Sequence, residues 1–160
     1  VDKVTEHLIR AGVEGFLVDI GGELRASGTR ADGTAWRVGI ERPALNRREA
    51  VTIIEIRDLA IATSGNYRNF FEADGRQYSH LIDPRSGRPI DHNTISVTVF
   101  SETAATADAL ATALSVMNVD DAYAFAQDRN LAVFWLLAGE EQFSERMTPA
   151  FRRLLGEEAR

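Results

Sequence analysis

Cysteine is absent from this chain of 160 residues, which excludes disulfide bonds, thiolate metal ligands and a cysteine nucleophile. Long apolar runs are absent too, because no stretch approaches the roughly 20 apolar residues that a helix needs to span a bilayer. With 44% hydrophobic and 26% charged residues, the composition is otherwise that of an ordinary globular protein. The length fits one domain over residues 1–160 and is sufficient to bury a core.

An excess of positive charge is also missing. The formal net charge is −6, which argues against nucleic acid or an anionic membrane as the main partner, since both favour basic surfaces. Three sequence signatures are absent as well, namely a G-x-G-x-x-G turn after a strand, a P-loop and a serine nucleophile elbow. The first absence means that the sequence gives no support to a Rossmann dinucleotide site. The other two mean that it gives no support to a P-loop nucleotide site or to a serine nucleophile of that kind.

Hydrophobic periodicity predicts an α+β fold, in which helices pack against a largely antiparallel sheet. Alternation at Trp36, Val38 and Ile40 is typical of a strand with one solvent-facing side, and residues 31–34 are typical of a hairpin turn. Strands are predicted at residues 14–20, 23–27, 36–41, 51–57, 59–63, 78–82, 95–99 and 131–137. Helices are predicted at residues 2–10, 103–117, 120–128 and 149–155.

Two of these elements carry a prediction about packing. The first helix places Val4, Leu8 and Ile9 on one apolar face. Residues 131–137 are all apolar, which is typical of a strand in the interior of a sheet. Residues 43–49 and 64–75 are predicted to be irregular, and residues 83–89 are predicted to form a turn.

A single carboxylate stands on the clearest predicted helix. Asp108 is the only charged residue between Thr103 and Val119, and Thr112 follows it at i+4 on the same face. A buried, ionised carboxylate needs a partner. Oxygen ligands from Asp108 and Thr112 would suit Mg²⁺, which keeps water or phosphate among its ligands. The alternative is a buried aspartate that accepts hydrogen bonds from backbone or hydroxyl groups, and the pattern favours neither.

A histidine precedes the turn at residues 83–89. Pro84 fixes the backbone of that turn, and Gly87 permits a positive φ. His80 lies just before it, where the imidazole could reach a cleft as a base or a polar contact, and Arg85 and Arg88 could contact phosphate. The alternative is a structural histidine beside a surface turn with solvated arginines. The residues taken alone favour that alternative.

Two glycine-containing segments could bring the main chain close to a ligand. Gly21-Gly22-Glu23 joins two predicted strands, and Thr63-Ser64-Gly65 follows another. Glycine lets a flat ligand or a phosphate approach the backbone, and free amides with hydroxyls can hold an anion. Each segment by itself is more typical of an ordinary turn.

Taken in order, these segments resemble the ApbE family over about residues 1–137. The most specific element is His-x-x-Asp-Pro-Arg-x-Gly-x-Pro, followed about 20 residues later by Ala-Asp-Ala-Leu-Ala-Thr-Ala. The resemblance is carried by residues 18–24, 62–67, 78–89 and 106–113.

The resemblance implies an ApbE/T-fold-like form of the α+β class and an Mg²⁺-dependent FAD:protein FMN transferase. Such an enzyme cleaves the pyrophosphate of FAD, attaches FMN through a phosphoester to a Thr or Ser of an acceptor flavoprotein, and releases AMP. In this sequence it implies Asp108 and Thr112 as ligands of Mg²⁺ or another divalent cation, and His80 and Asp108 as catalytic residues. The implied flavin nucleotide site consists of Gly21, Gly22, Glu23, Ser64, Gly65 and His80.

The resemblance also implies a setting for this activity. The implied acceptors are flavoprotein subunits of membrane redox complexes, such as sodium-pumping NADH:quinone reductase and its Rnf relatives, and a homodimer is compatible with it. The chain is expected to be the C-terminal portion of a longer protein, whose N-terminal half contributes a further metal ligand and part of the flavin pocket. That intact protein is expected to be a periplasmic, membrane-anchored lipoprotein, and this chain to be soluble.

Two other functions stay open from the sequence. One is a non-catalytic flavin-binding module, and the other is an FAD pyrophosphatase that yields FMN and AMP. Bound FAD without release of AMP would indicate the module, whereas release of AMP without a labelled protein would indicate the pyrophosphatase.

Overall fold

The computed structural model describes residues 1–42, 49–65, 70–73, 76–139 and 142–157, which form four helices and twelve strands. The helices are α1 (Asp2–Arg10), α2 (Ala104–Val116), α3 (Val119–Asp128) and α4 (Pro149–Leu154). The strands are β1 (Phe16–Ile20), β2 (Glu23–Ser27), β3 (Trp36–Arg42), β4 (Glu49–Ile56), β5 (Ala60–Gly65), β6 (Phe70–Ala73), β7 (Arg76–Ser79), β8 (Ile82–Asp83), β9 (Arg88–Pro89), β10 (Thr94–Ser101), β11 (Ala132–Leu137) and β12 (Ser144–Met147). In the described part of the chain, no helix has the length and apolar character needed to cross a membrane.

Six strands form one antiparallel sheet in the order β1-β2-β5-β10-β11-β12. The pairs β3–β4, β6–β7 and β8–β9 form separate antiparallel sheets of two strands each. β11 lies between β10 and β12, and most of its residues are buried. The predicted α+β fold with a largely antiparallel sheet is therefore confirmed, and so is the interior position of the apolar strand.

Apolar side chains bury both faces of the six-stranded sheet. On one face, Val99 and Trp135 share a core with Leu114 of α2. On the other face, the ring of Phe134 packs against Phe151 of α4 with centroids 5.4 Å apart, in a core that also includes β3 and β4. Full burial of one large apolar side chain contributes roughly 1.5–3 kcal/mol. These contacts fix α2 on one face and the β3–β4 pair on the other.

The turn at residues 31–34 does not join two strands of one sheet, so the predicted hairpin was wrong. The turn itself forms, since the Arg30 amide donates a hydrogen bond to the Thr34 carbonyl at 2.9 Å and Gly33 has a φ of 79°. Both edges of β2 are already occupied, by β1 and by β5. β3 therefore pairs with β4.

Helix α1 presents a different face to the protein from the predicted one. Thr5 is fully buried and Leu8 is partly buried, whereas Val4 and Ile9 are 44% and 53% exposed. Of the predicted apolar face, only Leu8 therefore packs against the protein. Asp2 and Thr5 are spaced i,i+3 and share one face of α1, and the Thr5 hydroxyl donates to the Asp2 carbonyl at 2.8 Å. The hydrogen bonds of the Asp2 carboxylate, described below, hold the face of α1 that carries Asp2 and Thr5 against the rest of the protein.

Three strands were not predicted. β6 lies within the segment 64–75 that was expected to be irregular, β9 lies within the predicted turn at residues 83–89, and β12 lies between residues 137 and 149, where no element was predicted. The single strand predicted at residues 78–82 corresponds to the end of β7 and the start of β8. The predicted loop at residues 43–49 lies outside the described residues except for its last position, as do residues 66–69 and 74–75.

The carboxylate of Asp2 joins α1, α2 and β2. Its Oδ1 accepts hydrogen bonds from the Ala104 amide and from Arg25 Nη1, and its Oδ2 accepts one from the Ala105 amide, all three at 2.9 Å. The Thr103 hydroxyl accepts a fourth bond from the Thr106 amide at 3.2 Å. The first three amides of α2, which a helix leaves without backbone partners, are therefore all satisfied by side chains.

Two opposing effects act on the pKa of Asp2. Partial burial raises it, but the hydrogen bonds from the Ala105 and Ala104 amides and the Arg25 guanidinium together outweigh burial and hold the pKa below its ordinary value of 3.8. The folded state therefore binds the proton of this carboxyl less tightly than the unfolded state does.

We expect Asp2→Asn to lower the free energy of unfolding by about 1–3 kcal/mol, because hydrogen bonds to a charged acceptor are lost. The stabilisation should be fully present above the unfolded-state pKa and should disappear as the pH falls through the lowered folded-state pKa. Urea denaturation from neutral pH into the acid range measures both effects, and the variant should lack this acid-dependent loss.

Asp128→Asn is the matched control. The Asp128 side chain is 78% exposed and pairs only with its neighbour Arg129 at 3.4 Å among the residues described, so the change should stay within about 0.5 kcal/mol. Equal stabilities of the Asp2 and Asp128 variants would contradict the role given to Asp2.

Candidate active site

A cavity of about 830 Å³ lies where β1, β2, β3, β5 and α2 meet. Its volume falls within the range of roughly 300–1,000 Å³ that is typical of small-molecule sites. Seven residues that the family resemblance implies line the cavity: Gly21, Gly22, Ser64, Gly65, His80, Asp108 and Thr112. Glu23 is not among the described lining residues. It begins β2 beside the turn, where a Cβ on Gly21 would lie 3.0 Å from the Glu23 Oε2.

The antiparallel register brings the two glycine segments together. Ile20 lies opposite Glu23, so Gly21-Gly22 closes the β1–β2 hairpin with φ values of 75° and 105°. These positive φ values strongly favour glycine. Next, β2 pairs with β5 so that Leu24 lies opposite Ile61. If this antiparallel register is extended by two residues beyond the Leu24–Ile61 pair, the Gly21-Gly22 turn lies beside Thr63-Ser64-Gly65 at the same end of the sheet.

Asp108 and Thr112 reach the same cavity from α2. Both residues are exposed and line the cavity, and Asp108 has no hydrogen-bond or ion-pair partner among the described residues. The alternative of a buried aspartate held by backbone or hydroxyl groups is therefore wrong. The expectation that burial forces Asp108 to find a partner is wrong as well, because the carboxylate is open to solvent at the edge of the apolar stripe.

The start of α2 is not available to bind an anion. Its first three amides donate to Asp2 and Thr103, so the positive end of the helix already has its acceptors. Within the described residues, no group of three or more His, Asp or Glu side chains is placed to hold a metal ion. A cation at Asp108 and Thr112 would therefore take most of its ligands from a substrate or from water, as Mg²⁺ commonly does.

His80 lines the cavity just before a well-ordered turn. Asp83 Oδ1 accepts hydrogen bonds from Arg85 Nε at 3.1 Å and from the Arg85 amide at 2.9 Å, and these bonds lower the pKa of Asp83. The Gly87 amide donates to the Asp83 carbonyl at 2.8 Å. Neither Arg85 nor Arg88 is among the described residues that line the cavity, so both behave as the solvated arginines of a surface turn.

Several lining residues were not identified from the sequence. An apolar wall consists of Leu17, Leu24, Val38, Ile40 and Ile61. Strand alternation marks Val38 and Ile40 as inward-facing, but it does not show that this face borders a cavity. That follows only from the position of the β3–β4 pair. Arg37 and Asp19 add opposite charges to the lining. Asp19 lies within the motif at residues 18–24, but neither residue was assigned to the site from the sequence.

The model of the ApbE family matches residues 1–135. The chain belongs to the ApbE family, as the sequence motifs predicted. The FAD:protein FMN transferase of Vibrio cholerae is 44% identical over 155 residues, which cover 97% of this chain and 46% of that protein. The FAD:protein FMN transferase of Escherichia coli is 38% identical over 154 residues, which cover 96% of this chain and 44% of that protein. The chain thus spans somewhat less than half the length of these relatives.

Solved structures agree with this membership. The apo form of the flavinyl transferase ApbE from Pseudomonas stutzeri superposes with a TM-score of 0.84 at 41% identity, covering 98% of this chain and 48% of that one. The ApbE protein from Thermotoga maritima superposes with a TM-score of 0.82 at 27% identity, covering 96% and 49%. The fold is therefore that of ApbE proteins.

We expect Asp108→Asn to leave the free energy of unfolding within about 0.5 kcal/mol of the wild type, because an exposed carboxylate without a described partner contributes little to stability. Urea denaturation measures this, and Asp2→Asn is the comparison, since that aspartate accepts three hydrogen bonds. A loss above about 1 kcal/mol at Asp108 would mean that the residue has a structural role after all.

Proposed function

We propose that this chain is part of an FAD:protein FMN transferase, whose cavity binds FAD together with a divalent cation, in the first place Mg²⁺. The observation that carries the proposal is that Asp108, Thr112 and His80 converge on one cavity with the Gly21-Gly22 turn. Membership of the ApbE family and the activity for which the relatives are named support it. The activity is proposed for the protein that contains this chain, because the chain spans under half of those relatives.

Asp108 and Thr112 are the residues that would hold the cation. Both supply oxygen, the donor that Mg²⁺ prefers, and both line the cavity. Two such ligands leave room for phosphate oxygens of the substrate. A divalent cation bound there supplies neutralisation of the pyrophosphate charge, which is a main requirement of phosphoryl-type transfer.

His80 is assigned as the base that accepts the proton of the acceptor hydroxyl. The hydroxyl oxygen of the acceptor forms a bond to the phosphorus on the flavin side of FAD. The bond from that phosphorus to the bridging oxygen breaks, and AMP leaves with that oxygen. The hydroxyl proton passes to a ring nitrogen of His80, which acts as a general base. The backbone at Gly21-Gly22 and Ser64-Gly65 positions the nucleotide.

The acceptor in this proposal is a Thr or Ser of a flavoprotein. The name FAD:protein FMN transferase of the relatives requires a protein acceptor. A subunit of a membrane redox complex on the periplasmic side, which the family resemblance implies, is the acceptor class that we would test first.

The longest natural protein product that contains this chain is the material for the test. We expect it, with FAD and Mg²⁺, to add the mass of one FMN group to a candidate acceptor domain in intact-mass spectrometry, and to lose this activity on chelation. Asp108→Asn should reduce the metal-dependent rate at least about a hundredfold, as expected when a charged group that acts in the transition state is removed. Thr34→Val, at an exposed turn away from the cavity lining, is the control.

Three results would overturn the proposal or part of it. A normal rate for Asp108→Asn would exclude the assigned metal site. Bound FAD with no release of AMP would indicate a flavin-binding module. Release of AMP with no mass gain on any acceptor would indicate an FAD pyrophosphatase.

We expect His80→Ala to reduce the transfer rate by about two to four orders of magnitude, the usual contribution of a general base, while changing the Kd for FAD much less. The rate of mass gain and the Kd from calorimetry are measured on the same preparation. His80→Gln keeps a polar side chain of similar reach without an efficient base, and should behave like His80→Ala. Equal losses in rate and affinity would assign His80 to binding.

A further inference from the structure

Two of the threonines that line the cavity are in hydrogen-bond contact through their hydroxyls. Thr63 of β5 lies directly opposite Thr98 of β10, and their Oγ1 atoms are 2.8 Å apart. Thr98 is fully buried, whereas Thr63 is exposed, and both line the cavity. Neither threonine has a role in the metal site proposed at Asp108 and Thr112 or in the proton transfer proposed for His80.

The burial of Thr98 decides which hydroxyl is the donor. Each hydroxyl has one proton to donate and can accept further hydrogen bonds. Among the described residues, the Thr98 hydroxyl has no hydrogen-bond partner other than Thr63. The distance alone leaves the donor open. A buried donor without an acceptor is costly, so the arrangement of lower cost has Thr98 donating to Thr63, and it leaves the proton of the Thr63 hydroxyl available to the cavity.

Apolar residues line part of the cavity that Thr63 lines. Ile61 is on the same face of β5, two residues away, and Leu24 lies opposite Ile61 on β2. Val38 and Ile40 line the cavity from β3. A flat ring that packs against these apolar residues could reach the Thr63 hydroxyl, and polar groups placed beside apolar ones commonly fix the orientation of a ligand.

We infer that Thr63 donates a hydrogen bond to an acceptor atom on the edge of a heteroaromatic ring of the bound nucleotide, and that Thr98 is the positioning residue that orients the Thr63 hydroxyl. The acceptor is a ring carbonyl oxygen or an unprotonated ring nitrogen. Both the flavin ring and the adenine ring of FAD carry such atoms. This inference rests on the proposed function, because it takes FAD as the ligand of the cavity.

The test is a set of Kd values from calorimetry on the longest natural protein product that contains this chain. The probes are FAD, FMN and AMP, each in the presence of Mg²⁺. We expect Thr63→Val to weaken FAD binding by up to about tenfold, the range for one net hydrogen bond. Thr63→Ser keeps the hydroxyl and is the matched control, with binding near that of the wild type.

Thr98→Val tests the positioning role. It should weaken binding by a smaller factor, because the Thr63 hydroxyl remains but loses its fixed orientation. The decisive measurement is the double variant. If Thr98 acts only through Thr63, Thr98→Val should have no effect on Kd in the Thr63→Val background, which is the signature of coupled residues in a double-mutant cycle. Urea denaturation of each variant shows whether it is folded.

The probes identify the ring. A loss for FAD and FMN but not for AMP would support the inference with the flavin ring at Thr63, and a loss for FAD and AMP but not for FMN would support it with the adenine ring. Wild-type binding of FAD with unchanged Kd in Thr63→Val would overturn the inference and leave the proposed function intact. Equal losses in Thr63→Ser and Thr63→Val would also overturn it. Absence of binding of all three probes to the wild type would overturn both.

Discussion

The carboxylate of Asp2 is the contact on which the arrangement of this protein depends most. It accepts hydrogen bonds from two amides at the start of α2 and from Arg25 of β2, so one side chain ties the first helix to the helix that carries the proposed metal ligands. Because it satisfies the positive end of α2, it also removes that helix terminus from the possible anion sites. In the proposed function, residues of the cavity and not the start of α2 would therefore bind the phosphates of the nucleotide.

Strand register supplies the second constraint. The pairings of β2 with β1 and β5 place the Gly21-Gly22 turn beside the end of β5, and α2 packs across β5 and β10 so that Asp108 and Thr112 face the same space. Main-chain donors, a carboxylate and an imidazole thus come together from segments far apart in the chain. Apolar residues of β1, β2, β3 and β5 also line the cavity, beside the charged residues Asp19 and Arg37, so the cavity has polar and apolar parts, which suits the proposed ligand FAD.

Features set by neighbouring residues could be predicted from the sequence, and features set by distant pairings could not. The Thr103 cap and the apolar stripe define α2, and the i+4 spacing puts Asp108 and Thr112 on one face whatever the rest of the fold does. The bond from Ala104 to Asp2 spans 102 residues, and the Thr63–Thr98 contact spans 35, so no local pattern indicates either. The inward face of α1 was predicted wrongly for the same reason, because Asp2 and Thr5 are turned inward by a partner that the local sequence does not reveal.

Asp108 and Thr112 are proposed to hold a divalent cation next to the phosphates of FAD. A crystal of the longest natural protein product that contains this chain, grown with FAD and Mn²⁺, would test it through the anomalous scattering of the metal. We expect an anomalous peak in contact with the Asp108 carboxylate and the Thr112 hydroxyl, with FAD phosphates as further ligands. Ordered FAD in the cavity with the metal bound away from both residues would contradict it.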